Sequence, residues 1–431
     1  MDRFTGAGAP VGAPAGAPVA SPHRRPGATI DATSRPGPPE PRRDRWFGVA
    51  AVGAAAAAVF VVSVVASTEF PLAMKVRPTP QALAPGLRWL ESFSWWDGAW
   101  YVGIAERGYG FMAGPQSPTA FFPAYPMLIR LVAPVAGGPV LAGFLVSLAS
   151  GLGGAYLFYR WALERLPHAR AARVAQVALL LYPCSFYLFG VLYADSLFLL
   201  TVVAAFLLLE RDRPVLAGLC AAVATATRPI GLALAVGLLA RALERRSSAA
   251  GVTVSPRRWR AALATLERRD AGLLLAPVGL VAYAAFLWSK FGDPLYFLAA
   301  EKGWGQSPGW QTWLKVPWLR ALQRTPYLDP PHYHLVGNFL AAVIALTLAV
   351  LVFRRLGWGY GIYSFVMVFG AAMSTKNFIG TGRYAIAAFP CFAVAGLLLA
   401  ERRGARRTVF ALSGALLFLF TELHARNMLI S

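Results

Sequence analysis

The chain has 431 residues, 57% of them hydrophobic and only 14% charged, where a soluble domain carries about a quarter charged residues, so a water-soluble enzyme is excluded and a polytopic membrane protein expected. The formal net charge of +21 would suit nucleic acid in a soluble domain, but the basic residues gather between apolar runs, as in RRWRAALATLERRD (257–270) and ERRGARR (401–407). A cytoplasmic membrane surface explains them, and no nucleic-acid partner is expected.

Residues 1–45 open the chain with Pro, Ala, Gly and Arg and almost no large apolar residue; they cannot build a core and are expected to form a disordered cytoplasmic tail. The rest, 46–431, is read as one transmembrane domain. WFGVAAVGAAAAAVFVVSVVAS (46–67) is longer than a signal-peptide core of roughly 7 to 15 residues and predicts an anchor. With Arg42, Arg43 and Arg45 inside, residues 68–137 form a first extracytoplasmic loop. The next span, 138–159, returns to a basic cytoplasmic loop. FFPAYPMLIRLV (121–132) cannot also cross without flipping that loop outside, so a re-entrant or interfacial helix is expected there.

Spans follow at 174–190 and 194–209. The run 214–243 is too long for one helix, and Arg228-Pro229 breaks it, because proline removes a helix hydrogen bond and disfavours helix in the residue before it. Further spans are read at 271–289, 335–353, 358–374, 384–400 and 408–424. The total is eleven, an all-α bundle in the plasma membrane with the N-terminus cytoplasmic and the C-terminus outside. An extracytoplasmic loop covers 290–334. The three cysteines, Cys184, Cys220 and Cys391, lie inside apolar runs and read as packing. All five lysines, Lys75, Lys290, Lys302, Lys315 and Lys376, fall on the outer side. The positive-inside rule does not explain them, so some are expected to bind a ligand.

This threading brings Asp97, Glu106, Asp195, Arg228, Lys376 and Arg383 to one membrane surface, a convergent polar site. Asp97 stands in WWDGAW, where rings exclude water and stack on sugar faces; its carboxylate suits a general base and equally a helix cap. Trp96, Trp100, Tyr101 and Tyr125 are the candidate substrate-contacting rings. Glu106 is a further candidate, with a solvated or salt-bridged position as the competing reading. Arg228, in TATRPIGLAL, needs a partner if it lies at membrane depth: an anionic ligand or an acid such as Asp195, unless it snorkels to the surface. Lys376 and Arg383, beside Gly380 and Gly382, suit a lipid phosphate, with juxtamembrane anchoring as the alternative. HYH (332–334) lacks a third ligand nearby, and the chain has no DxD, so neither a metal nor any other cofactor is expected. Trp304, Trp310, Trp313 and Trp318 suit an acceptor groove or an interfacial belt.

WDGAWYVGIAERGY (96–109) followed by AFFPAYPMLIRL (120–131) resembles the first lumenal loop of the PIG-V family, mannosyltransferases of glycosylphosphatidylinositol anchors, and of their bacterial relatives. The match runs from Trp96-Asp97 through Ile104-Ala105 and Gly108-Tyr109 to Phe121-Phe122-Pro123. YPCSFYLFGVLYADSLFLL (182–200) is similar too, although Ala194-Asp195 replaces the family's serine-glutamate. TRPIGL around Arg228 and the Arg383-Tyr384 pair also match. The resemblance covers roughly residues 90–400, and the Arg- and Ala-heavy composition fits a bacterial member. It implies a GT-C fold with an extracytoplasmic site, a polyprenyl-phosphate sugar donor and a glycolipid or glycan acceptor, both within reach of membrane lipids. It further implies inverting transfer with Asp97 as base, leaving Arg228, Lys376 and Arg383 as candidates for the donor phosphate. A transporter or flippase of lipid-linked glycans, a non-catalytic membrane subunit, and an enzyme for another sugar such as arabinose are the competing readings.

Overall fold

The computed structural model describes residues 42–73, 83–84, 86–110, 116–303, 306, 309–326 and 330–430. The tail up to residue 41, Lys75 and Trp304 lie outside these residues, as do the side chains of His332 and Tyr333. Among the described residues the secondary structure is entirely helical. In chain order the main helices are α1 (Arg42–Glu69), α2 (Asp97–Arg107), α3 (Ala124–Ala136), α4 (Pro139–Arg165), α5 (Ala169–Leu180), α6 (Asp195–Glu210) and α7 (Pro214–Thr225). Then come α8 (Leu232–Ala249), α9 (Val278–Phe291), α10 (Pro330–Arg355), α11 (Trp358–Ser374), α12 (Phe389–Ala400) and α13 (Arg403–Ala425).

Five described stretches are long and apolar enough to cross a membrane: Asp44–Glu69, Pro139–Arg165, Arg268–Phe291, His334–Arg355 and Arg403–Ala425. A sixth crossing is available if Thr381–Ala387 and Phe389–Ala400, bent by 83°, act as one broken span. The chain is thus a multi-pass membrane protein, and the remaining expected spans correspond to shorter or more polar helices. α3, at 13 residues, rises about 20 Å, short of a hydrocarbon core of about 30 Å.

Two expectations meet different fates. The break at Arg228 is present: α7 ends at Thr225, Arg228 is extended (φ −168°, ψ 152°), and Pro229 opens a 3-10 turn before α8. The continuous span at 174–190 is not. α5 stops at Leu180, because Pro183 follows, and residues 181–194 turn back into the bundle through a 3-10 turn at Ser185–Leu188. Gly190 makes this possible with φ 102°, and a Cβ there would meet Phe144 at 2.5 Å. Gly151 lets α4 approach so closely that an added Cβ would overlap the carbonyl oxygen of Leu188.

α6 is apolar all round, as a central helix must be, and is buried along nearly its whole length against α4, α7 and the 3-10 turn at Ala385–Ala387. Its 16 residues span about 24 Å and separate two polar regions. At its last residue Glu210 is met by Arg165, Arg241 (2.6 Å), Arg245 (3.5 Å) and the Tyr360 hydroxyl (2.7 Å). Glu244 binds Arg241 at 2.7 Å and accepts the amides of Trp358 (2.6 Å) and Gly359 (3.1 Å), capping the start of α11. Nearby Arg246 pairs with Asp212, Glu267 and Asp270. Many of the arginines that look from the sequence like a solvated surface are therefore paired. The first residue of α6 is Asp195, and the candidate site surrounds it.

Candidate active site

The segment 92–96 before α2 holds two serines and two tryptophans in tight turns. Trp95 Nε1 donates to the Ala425 carbonyl (3.2 Å), and Leu192 N donates to Phe93 O (2.8 Å), so the first loop is fastened to α13 and to the 181–194 turn. Trp96 then takes φ 57°, ψ −112°, a conformation costly for a residue with a Cβ. The next residue is Asp97. The Asp97 amide donates to the Tyr193 hydroxyl at 3.2 Å, and the carboxylate, which caps no backbone group of α2, points elsewhere.

It points to Arg383. Arg383 Nη1 donates to Asp97 Oδ2 at 3.0 Å, and its Nε lies 3.8 Å from Asp195 Oδ1. Asp195 in turn faces Arg228 in a paired arrangement, Nη1 to Oδ1 and Nη2 to Oδ2, both at 3.0 Å. The four groups form an alternating line, Asp97–Arg383–Asp195–Arg228, with no net charge. Their side-chain exposures differ in a way that decides roles: 3% for Asp195, 10% for Arg228 and 13% for Arg383, against 26% for Asp97. Asp97 is the reachable end, and its Oδ1 takes no hydrogen bond from the described residues.

Aromatic rings hold the two guanidinium groups by their faces. Arg383 lies 5.0 Å from the Tyr193 ring, 5.2 Å from Tyr384 and 5.6 Å from Tyr187. Arg228 lies 5.0 Å from Tyr384 and 5.3 Å from Phe198. The rings exclude water from the line while leaving both cations compensated.

The expected site residues divide accordingly. Asp97, Asp195, Arg228 and Arg383 come together. Arg228 has its carboxylate partner in Asp195, so of the three candidate cations it is the one most fully neutralised. Lys376 makes no side-chain hydrogen bond or ion pair among the described residues; its backbone amide donates to Gln306 Oε1 at 3.0 Å, and Gln306 N donates to Glu301 O at 3.2 Å. Trp96 is half-buried, with an Nε1 that finds no acceptor among the described residues. Trp100 stacks on Phe121 (5.7 Å, 11°) and remains half-buried. Tyr101 is buried edge-on to Phe121 and Tyr125, and burial raises its hydroxyl, with Arg228 opposing.

Two expectations are corrected. Glu106 is exposed, because nine positions after Asp97 at about 100° per residue bring it to the opposite face of α2. Tyr125 is fully buried, its hydroxyl donating to Gly143 O (3.0 Å) and sharing a bond with Ser147 (2.7 Å), so it clamps α3 to α4. In the 290–334 loop, Trp318 packs on Phe339 and Phe378, whereas Trp310 and Trp313 are exposed.

The structure adds residues that the pattern of types did not single out. Tyr187, Tyr193 and Tyr384 were visible as tyrosines in apolar runs, a position equally typical of a membrane interface. Glu301, on the short helix Tyr296–Gly303, is held above the usual carboxylate range first by burial and then by the charge of Asp97, which marks it as a neighbour of the site. His424 lies against Phe186 and Tyr187, within the field of Arg383.

No family model matches the chain. It is similar to GPI alpha-1,6-mannosyltransferase 2 of Cricetulus griseus, 28% identical over an alignment of 297 positions that covers 61% of this chain and 57% of that protein. The chain thus aligns with little more than half the length of this curated relative. Among solved structures, ArnT from Cupriavidus metallidurans bound to undecaprenyl phosphate superposes with a TM-score of 0.48 at 14% identity, covering 84% of this chain and 62% of that one. The oligosaccharyltransferase of Archaeoglobus fulgidus gives 0.45 at 13% identity, covering 90% and 57%.

Proposed function

We propose that the chain is a membrane glycosyltransferase of GT-C type that moves a sugar, mannose in the favoured reading, from a polyprenyl-phosphate donor to a lipid or glycan hydroxyl. The observation that carries this reading is the Asp97–Arg383 pair, in which the arginine fixes one carboxylate oxygen at 3.0 Å and the other takes no hydrogen bond among the described residues. An acceptor hydroxyl gives its proton to Asp97 Oδ1 as its oxygen attacks the anomeric carbon from the side opposite the phosphate. The C–O bond to phosphate breaks, its electron pair leaves with the lipid phosphate, and the sugar inverts. Lys376 is the cation best free to meet that phosphate, with Arg383 and Arg228 holding the acids in place. Mannose is favoured by the first-loop motif and by the similarity to the mannosyltransferase.

The site lies at the end of α6 away from the Glu210 network and the arginine-rich connections, which supports an extracytoplasmic position by the positive-inside rule. The same contrast favours an enzyme over a flippase. A flippase needs polar access from both sides, whereas the far end is closed by paired, buried charges. The test is transfer of label from polyprenyl-phosphate mannose to a glycolipid extract by membranes holding the native protein or Asp97→Asn at equal abundance. Transfer by the first alone is expected. Equal transfer by both would remove Asp97 as base.

A further inference from the structure

Beyond the charged line, a cavity of about 560 Å³ opens between Tyr109-Gly110, just past α2, and Lys290, Phe291 and Tyr296, where α9 gives way to the next short helix. It is open rather than enclosed, and it is lined by aromatic rings and one charged side chain. Phe291 and Tyr296 stack on each other at 5.2 Å and 15°, a rigid aromatic pair at its edge. Tyr109 is held at 5.6 Å from Tyr283 and 5.4 Å from Phe286, and its hydroxyl is committed to Phe121 O at 2.7 Å, so it offers its ring. Lys290 is exposed and takes no ion pair among the described residues; the nearby acid, Asp293, turns back to the Leu295 amide at 2.8 Å. None of the groups in the proposed chemistry uses this lysine.

Two elements lead from the cavity to Asp97. α2 runs from Asp97 to the residues before Tyr109, and its 11 residues rise about 16 Å. The helix Tyr296–Gly303 lines the cavity with its first residue and carries Glu301, which lies within the field of Asp97. A ligand seated here reaches the carboxylate only if it is longer than a single sugar.

We propose that this cavity is the acceptor subsite, holding an acceptor glycan against the stacked Phe291–Tyr296 pair, and that Lys290 selects acceptors bearing an anionic group, phosphate or carboxylate, remote from the hydroxyl that is glycosylated. This rests on the glycosyltransferase reading. Flat aromatic faces meet the C–H faces of sugars, and a lone ammonium is complemented by one anionic substituent.

The test is direct binding, so that it does not depend on turnover. The native protein and the Lys290→Gln, Lys290→Arg and Tyr296→Ala variants, in phosphatidylcholine nanodiscs, are titrated with octyl mannoside, octyl mannoside 6-phosphate and octyl mannuronate. The native protein should hold an anionic probe about fivefold more tightly than the neutral one, as for a surface ion pair, and the preferred anion tells phosphate from carboxylate. Lys290→Gln should lose the preference, Lys290→Arg should keep it, and Tyr296→Ala should weaken all three probes. Equal binding of charged and neutral probes by the native protein, or a preference that survives Lys290→Gln, overturns the proposal. Discriminating binding without mannose transfer would instead count against the donor or the enzyme reading, and leave the subsite standing.

Discussion

Arg383→Gln separates two roles that a cation beside the proposed base, Asp97, can play. Arg383 gives Asp97 one charged hydrogen bond of 3.0 Å between side chains 13% and 26% exposed, a contact worth about 1.5–3 kcal/mol. Asp195 keeps its paired contacts to Arg228, and Tyr193 keeps the Asp97 amide, so the variant should fold with a loss of about that size. The carboxylate, however, loses what aims it, and a misplacement of about 1 Å costs about a hundredfold in rate. With labelled polyprenyl-phosphate mannose at varied concentration, kcat should fall about a hundredfold while the donor KM changes little. Lys376→Gln should do the reverse, raising the donor KM by about tenfold. A raised donor KM with unchanged kcat in Arg383→Gln would refute the positioning role and show that the guanidinium grips the phosphate instead.

Asp195→Asn leaves Arg228 buried without its carboxylate and should cost about 3–5 kcal/mol, read as a lowered thermal midpoint in detergent. Replacing both partners by methionine should recover much of that loss. Glu106→Gln, on the exposed face of α2, should leave transfer and thermal midpoint unchanged; a tenfold drop in transfer would show that α2 reorients in use. Lys315 tests the outer segment, since its Nζ donates to the carbonyls of Ala372 and Thr375 and lies 4.7 Å from the Phe378 ring. Burial pushes this amine down to about 8. The folded form therefore binds its proton less tightly than the unfolded chain, so docking is penalised below about pH 8 and strengthens as the pH rises from there towards the ordinary lysine value. The neutral amine still has N–H groups for both carbonyls. Protection of residues 309–326 from protease should increase over that window, and Lys315→Met should flatten the profile.

Features set by local backbone chemistry were legible in the sequence. The helix break at Arg228-Pro229 follows from the proline ring, and the long apolar helices α1, α4, α10 and α13 follow from composition and length. Asp97 drew attention as a carboxylate among rings next to a glycine, and the structure removes the helix-cap alternative, because its side chain turns to Arg383. The 174–190 segment misled because its apolar residues fit a buried non-helical turn as well as a span, and only Pro183 and Gly190 hinted at the difference. Tyr125 misled for a related reason: a tyrosine in a conspicuous motif looks the same whether its ring meets a sugar or its hydroxyl clamps α4. The phase of α2 did contain the answer for Glu106, half a turn out of register with Asp97. What no local pattern holds is the choice of partner between distant stretches, such as Arg383 with Asp97 or Arg228 with Asp195.

The two polar regions joined by α6 behave differently for a physical reason. At Glu210 both carboxylate oxygens face arginines and one also accepts from Tyr360, both side chains of the Arg241–Glu210 pair are 2% exposed, and the amides of α11 close on Glu244. Such a network costs desolvation and yields rigidity and register rather than reactivity. At the other end the line of charges stops at Asp97, whose outer oxygen takes no hydrogen bond among the described residues and whose backbone entrance, Trp96, is strained. Strain and an unfilled acceptor persist only where the surrounding fold over-determines them. The ties from Trp95 to α13, from Leu192 to Phe93 and from Tyr193 to the Asp97 amide supply that constraint. Loosening any one of them should reduce turnover before it reduces stability, whereas breaking the Glu210 cluster should do the opposite.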